Sequence, residues 1–103
     1  MWPFKKKPSQ AGDALAIIDE AIEFAAERWI FFSRSVAVTP AEGLRERIGR
    51  FARSLEPSLH ARYPALAVAS DAVMLLIVAK GVEQSGAISR GEIERALGIL
   101  LPP

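Results

Sequence analysis

The chain carries one histidine and no cysteine, and those two counts narrow its chemistry. Without cysteine there is no disulfide, no thiolate metal site and no cysteine nucleophile. The single histidine, His60, sits in Leu59-His60-Ala61-Arg62-Tyr63. A general base needs a pocket, a proton to abstract and an orienting partner. Ser54, Ser58 and Ser70 are close in number, but no glycine-flanked elbow presents any of them as a nucleophile. His60 therefore reads as a helix-end or surface residue. Glu20, Glu23 and Glu27 recur at helical spacing, as do Asp19 and Glu23. Carboxylates of helical bundles hold paired metals when Glu-x-x-His pairs join them, and this chain has none. They read as a solvated acidic face. The expectation is a non-catalytic protein with no metal and no cofactor.

Arg45, Arg47, Arg50 and Arg53 crowd into one short stretch. Residues 37–63 hold five arginines against three glutamates, while residues 10–36 hold two arginines against five acids. Arg47, Arg50 and Arg53 are read as an anion-binding face for an acidic partner protein or nucleic-acid phosphates. The alternative is that they pair with Glu46 or the acidic first helix, or simply remain solvated. A formal net charge of +1 argues against a dedicated nucleic-acid binder, which is normally plainly basic.

The segment Gly86-Ala87-Ile88-Ser89-Arg90-Gly91-Glu92-Ile93-Glu94-Arg95-Ala96-Leu97-Gly98-Ile99 resembles the opening of a helix-turn-helix. That resemblance implies a recognition helix entering the major groove, and the sequence to Pro103 leaves no length for one. The segment is also similar to the second half of an EF-hand, which implies calcium. The carboxylates at alternate loop positions are missing, so calcium finds no ligands. Neither resemblance names a family for the whole chain.

Two apolar features stand above the background. Trp29-Ile30-Phe31-Phe32 are four consecutive large residues, and on a helix they cover more than one face. Either another element wraps them or they meet a partner, as exposed contiguous apolar patches usually do. The second is Trp2-Pro3-Phe4-Lys5-Lys6-Lys7. Trp2 and Phe4 beside Lys5, Lys6 and Lys7 suit weak contact with an anionic membrane surface, at roughly 1 kcal/mol per lysine. The residues after it are not the apolar run of a secretory signal. Residues 1–8 read as a tail, and residues 9–103 as one helical domain.

The elements that position these groups follow from apolar spacing. Leu15, Ile18, Ile22, Ala25, Trp29, Phe32 and Val36 form an amphipathic seam that predicts a helix over Gln10–Ser35, failing by Val36-Ala37-Val38. Thr39-Pro40-Ala41-Glu42 is a capping box with proline at the first helical position. The second helix follows it with Leu44, Ile48, Phe51 and Leu55 on one stripe, and Glu56-Pro57 should stop it. Residues 57–62 leave room for one further turn. A third helix is expected over Pro64–Gln84, capped by Gly86. Ala72 to Ala79 lack any polar residue, so this is the expected central helix, buried on most sides. Under an enzymatic or ligand-binding alternative, Asp71 ahead of that run would sit partly buried. Ser89-Arg90-Gly91-Glu92 opens a fourth helix, with Ile88 and Ile93 as a hydrophobic staple. Ile93, Ala96, Leu97 and Leu100 form its buried stripe, and Pro102-Pro103 stops it.

The fold class expected is all-α: four helices in a compact bundle or orthogonal array, with no β-sheet. Hydrophobic residues and the 7 glycines together make about 57% of the chain, above the roughly 45–50% usual for soluble domains. Seventeen of these residues are alanines, which allow close helix packing. The leading functional expectation is a cytoplasmic interaction or self-association module, with a homodimer among its forms. Trp29, Ile30, Phe31 and Phe32 are its apolar anchors. Two alternatives are an enzymatic or small-molecule site near Asp71, His60 and Tyr63, and a peripheral membrane adaptor using the tail.

Overall fold

The computed structural model describes residues 10–35 and 43–102. Residues 1–8, with Trp2, Phe4, Lys5, Lys6 and Lys7, lie outside them, as do Val36–Val38 and the Thr39–Glu42 cap. The described residues form four α-helices and no strand, as expected: α1 (Gln10–Ser35), α2 (Leu44–Arg62), α3 (Asp71–Gln84) and α4 (Arg90–Leu97). A short 3-10 turn, Pro64–Val68, joins α2 to α3.

Helix α1 has the expected bounds, and most of its seam is enclosed. Ala21, Ile22, Ala25 and Trp29 are buried, with Ile17, Ile18 and Phe32 packed against them. Leu15 is exposed instead. At 1.5 Å per residue, α1 is about 39 Å long and α3 about 21 Å, so the seam outruns its main partner. The two helices cross closely. A Cβ built on Gly81 of α3 would lie 2.6 Å from the Ala25 Cβ and 3.0 Å from the Ala26 backbone nitrogen. Only glycine fits there, and the alanines of α1 allow the approach.

Helix α2 departs from expectation at both ends. It begins at Leu44, where extended Gly43 is the N-cap and its N–H donates to Glu46 Oε1 at 3.1 Å. At the other end it runs through Pro57 to Arg62. An internal proline costs about 3 kcal/mol through the lost N–H bond and the ring clash. Opposing that, the stripe Ile48-Phe51-Leu55 continues at helical spacing to Leu59, which is fully buried. Burying one leucine contributes about 1.5–3 kcal/mol. The Tyr63 N–H still donates to the Leu59 carbonyl at 2.7 Å, so the last turn is intact.

Helix α3 starts later than Pro64 because two signals divide the segment. Pro64 opens the 3-10 turn, which buries Leu66. Ser70 then caps α3, its hydroxyl accepting from the Val73 N–H at 3.3 Å. The far end agrees with expectation: Gly86 takes a left-handed φ of +83°. Ser89 and Glu92 form the expected capping box of α4. That helix stops earlier than expected, at Gly98 with φ +68°. The reversal exposes Leu100 and buries Leu101, the opposite of a stripe continuing in helix. Residues 98–102 become a strap. Leu101 N–H donates to Glu94 Oε2 at 2.8 Å, and Arg90 donates to the carbonyls of Leu101 and Pro102 at 2.9 and 2.7 Å.

Candidate functional site

At 100° per residue, Trp29 and Phe32 share one side of α1, while Ile30 and Phe31 turn away. Trp29 is 2% exposed and stacks on Phe32, with centroids 5.8 Å apart. Phe51 of α2 completes the cluster, 5.1 Å from the Trp29 ring and 5.4 Å from Phe32. Trp29 Nε1 is buried without a hydrogen-bond acceptor among the described residues. By contrast Ile30 is 40% exposed and Phe31 64%. The four-residue run is thus divided between core and surface.

The arginines of α2 are divided as well. Arg47 is only 8% exposed, and its guanidinium lies 5.1 Å from the Phe32 centroid and 6.0 Å from Trp29. It donates to the Ser33 carbonyl at 3.4 Å. A cation over aromatic faces contributes up to about 2 kcal/mol when desolvated, so Arg47 helps hold α1 to α2. Arg50 is half-buried, 6.0 Å from the Phe32 ring. Arg53 is exposed in a different cleft, between α2 and α3, with Glu56 and Asp71. The three do not form one continuous face.

Between α1 and α2 runs a groove of ≈ 320 Å³ beside Phe31. Phe32, Phe51 and Leu55 give it an apolar floor, and Arg28, Ser35, Ser54 and Ser58 also line it. The Ser54 hydroxyl donates to its own helix at the Phe51 carbonyl, 2.9 Å away. The expected acidic face of α1 lies further along the same helix pair. Glu20, Glu23 and Glu27 share a cleft with Phe24, Arg62 and Tyr63. Arg28 and Arg62 lie 5.1 and 5.2 Å from the Phe24 centroid.

His60, Tyr63 and Asp71 are not brought into one cavity. His60 is half-buried, with Nε2 4.0 Å from Glu56 Oε2. Tyr63 lines the acidic cleft, and Asp71 lines the α2–α3 cleft. Asp71 is exposed rather than partly buried, because it precedes the enclosed half of α3. Among the described residues no three His, Asp or Glu side chains gather to hold a metal ion. No described helix is long and apolar enough to cross a membrane.

Sequence reading missed one polar cluster. Glu83 receives two hydrogen bonds from Arg90, at 2.8 and 3.3 Å, and a salt bridge from Lys80 at 3.2 Å. The Arg90 hydrogen bond holds the Glu83 carboxyl below its usual range, with Lys80 adding to the effect. Lys80 also donates to the Pro102 carbonyl at 3.2 Å. Lys80 and Glu83 are an i,i+3 pair on α3, but Arg90 lies on α4 and no spacing rule links it to them. For Arg90 the available signal was opposite charge either side of a glycine turn. Compared with known proteins, the chain finds no match among family models, curated proteins or solved structures.

Proposed function

We propose that the protein is a non-catalytic interaction module that docks on a protein surface through the C-terminal end of α1. One observation carries this reading: Phe31 is 64% exposed on a helix turn where Trp29 is buried and Phe32 is packed against the core. Trp29, Phe32, Phe51 and Arg47 form a packed base, and Ile30 and Phe31 project from it beside an apolar groove. Large rings on a fixed backbone lose little entropy on binding, which makes them effective anchors. Arg28 lines the same groove as Phe31 and favours carboxylates on the partner.

The test compares the full chain with an Ile30→Ser/Phe31→Ser variant in extracts of its source cells. The native chain is expected in species heavier than its own 11.2 kDa, and the variant as a folded single chain. Identical size profiles for the two would contradict docking through this end of α1.

A further inference from the structure

Two depressions lie along the same side of the α1–α2 pair. The first is the apolar groove beside Phe31, and the second is the cleft of Glu20, Glu23 and Glu27. Glu20, Phe24, Glu27, Phe31 and Ser35 recur every three or four residues on α1, as do Phe51, Leu55, Ser58 and Arg62 on α2. At 100° per residue each set stays on one side of its helix. The two depressions are therefore one groove, apolar at one end and acidic at the other. Arg28 and Arg62 lie over Phe24 between the ends. Counted against the three glutamates, they leave the lining net acidic. Glu20, Glu23 and Glu27 are exposed and join no ion pair among the described residues.

We propose that residues 2–7 of a second copy of this chain occupy the groove. Trp2 and Phe4 precede Lys5, Lys6 and Lys7, two aromatic rings followed by three cations. The groove has the matching order and the matching scale. Phe31 and Glu23 are eight residues apart on α1, about 12 Å. Trp2 and Lys6 are four residues apart, about 13 Å of extended chain. Running antiparallel to α1, the segment sets its rings against Phe31, Phe32 and Phe51 and its ammonium groups against the three carboxylates. The chain's own segment is too short for this. Phe4 reaches at most about 22 Å from Gln10, whereas the apolar end begins at Arg28, about 27 Å along α1. The occupant is thus another copy, and mutual exchange of the two segments gives a closed two-fold dimer. The inference rests on the Phe31 docking reading and names its partner.

Sedimentation velocity of the full chain across the micromolar range tests the proposal. A species of twice 11.2 kDa is expected to grow with concentration. Trp2→Ser/Phe4→Ser should weaken the dimer about tenfold or more. The triple change Glu20→Lys/Glu23→Lys/Glu27→Lys should weaken it about tenfold while leaving the fold intact, because all three side chains are exposed. Adding Lys5→Glu/Lys6→Glu/Lys7→Glu to that variant should restore the dimer. A chain that stays single at every concentration overturns the proposal and leaves docking on another protein standing. A dimer that the exchanged charges fail to restore overturns it too. So does a dimer indifferent to Trp2→Ser/Phe4→Ser; if Phe31→Ser abolishes that dimer, the docking reading survives with a different contact.

Discussion

Helix α1 packs on its two neighbours in opposite ways. At its middle, Ala25 and Ala26 meet Gly81 of α3 with no room for another methyl group. At its C-terminal end, Trp29 and Phe32 meet Phe51 of α2 through three rings and the Arg47 guanidinium. The first contact consists of absent side chains and fixes the distance between backbones. The second consists of large ones, which fill the interior and leave spare apolar surface at Phe31 and in the groove. A close crossing serves the fold alone. An aromatic joint serves the fold and still offers a surface.

The contrast is best broken from its aromatic side. Trp29→Ala should cost about 3–5 kcal/mol, read by chemical denaturation, because a fully packed ring leaves a cavity. At the crossing, overpacking in Gly81→Ala costs about 1–3 kcal/mol. Alanine's better helix propensity returns about 1 kcal/mol of that. The backbone of α1 cannot yield, so a net loss is expected, and a gain in stability would show the crossing to be loose. Arg47→Met keeps the apolar stem and removes the cation over Phe32. A loss of about 1 kcal/mol is expected in thermal melts.

The polar clamp on the strap makes a smaller and pH-dependent contribution. Hydrogen bonding from Arg90 lowers the Glu83 pKa below 4.5, so folding releases a proton more readily there than in the unfolded chain. The stabilisation is complete above 4.5 and fades as the pH falls below it. Melting temperatures at neutral and acidic pH should therefore differ less in Glu83→Gln than in the native chain. The smallest effect belongs to Phe31→Ser. As a surface change it should alter stability by no more than about 0.5 kcal/mol, setting it apart from Trp29→Ala two residues away.

These regions were not equally legible in the sequence. The α1 seam, the Gly86 stop and the Ser89–Glu92 capping box are local patterns, and the structure follows them. Pro57 misled because local preference ends a helix there, while burial of Leu59, visible only in three dimensions, continues it. Gly98 was overlooked beside the louder Pro102-Pro103, and the strap with its exposed Leu100 followed from that. The division of Trp29-Ile30-Phe31-Phe32 could be drawn from helical phase once Phe51 was known to face α1. The location of Arg47 could not, since spacing groups it with Arg50 and Arg53. Packing against Trp29 and Phe32 draws it inside.

The central claim is that Phe31 is a docking residue standing on the packed base of Trp29, Phe32 and Phe51. Site-specific photo-crosslinking in the source cells tests it most directly. A benzophenone side chain replaces Phe31 in one sample and Gln84, also exposed, in another. The account predicts a discrete adduct from position 31, of defined mass, and little from position 84. Equal or absent labelling at the two positions would contradict it.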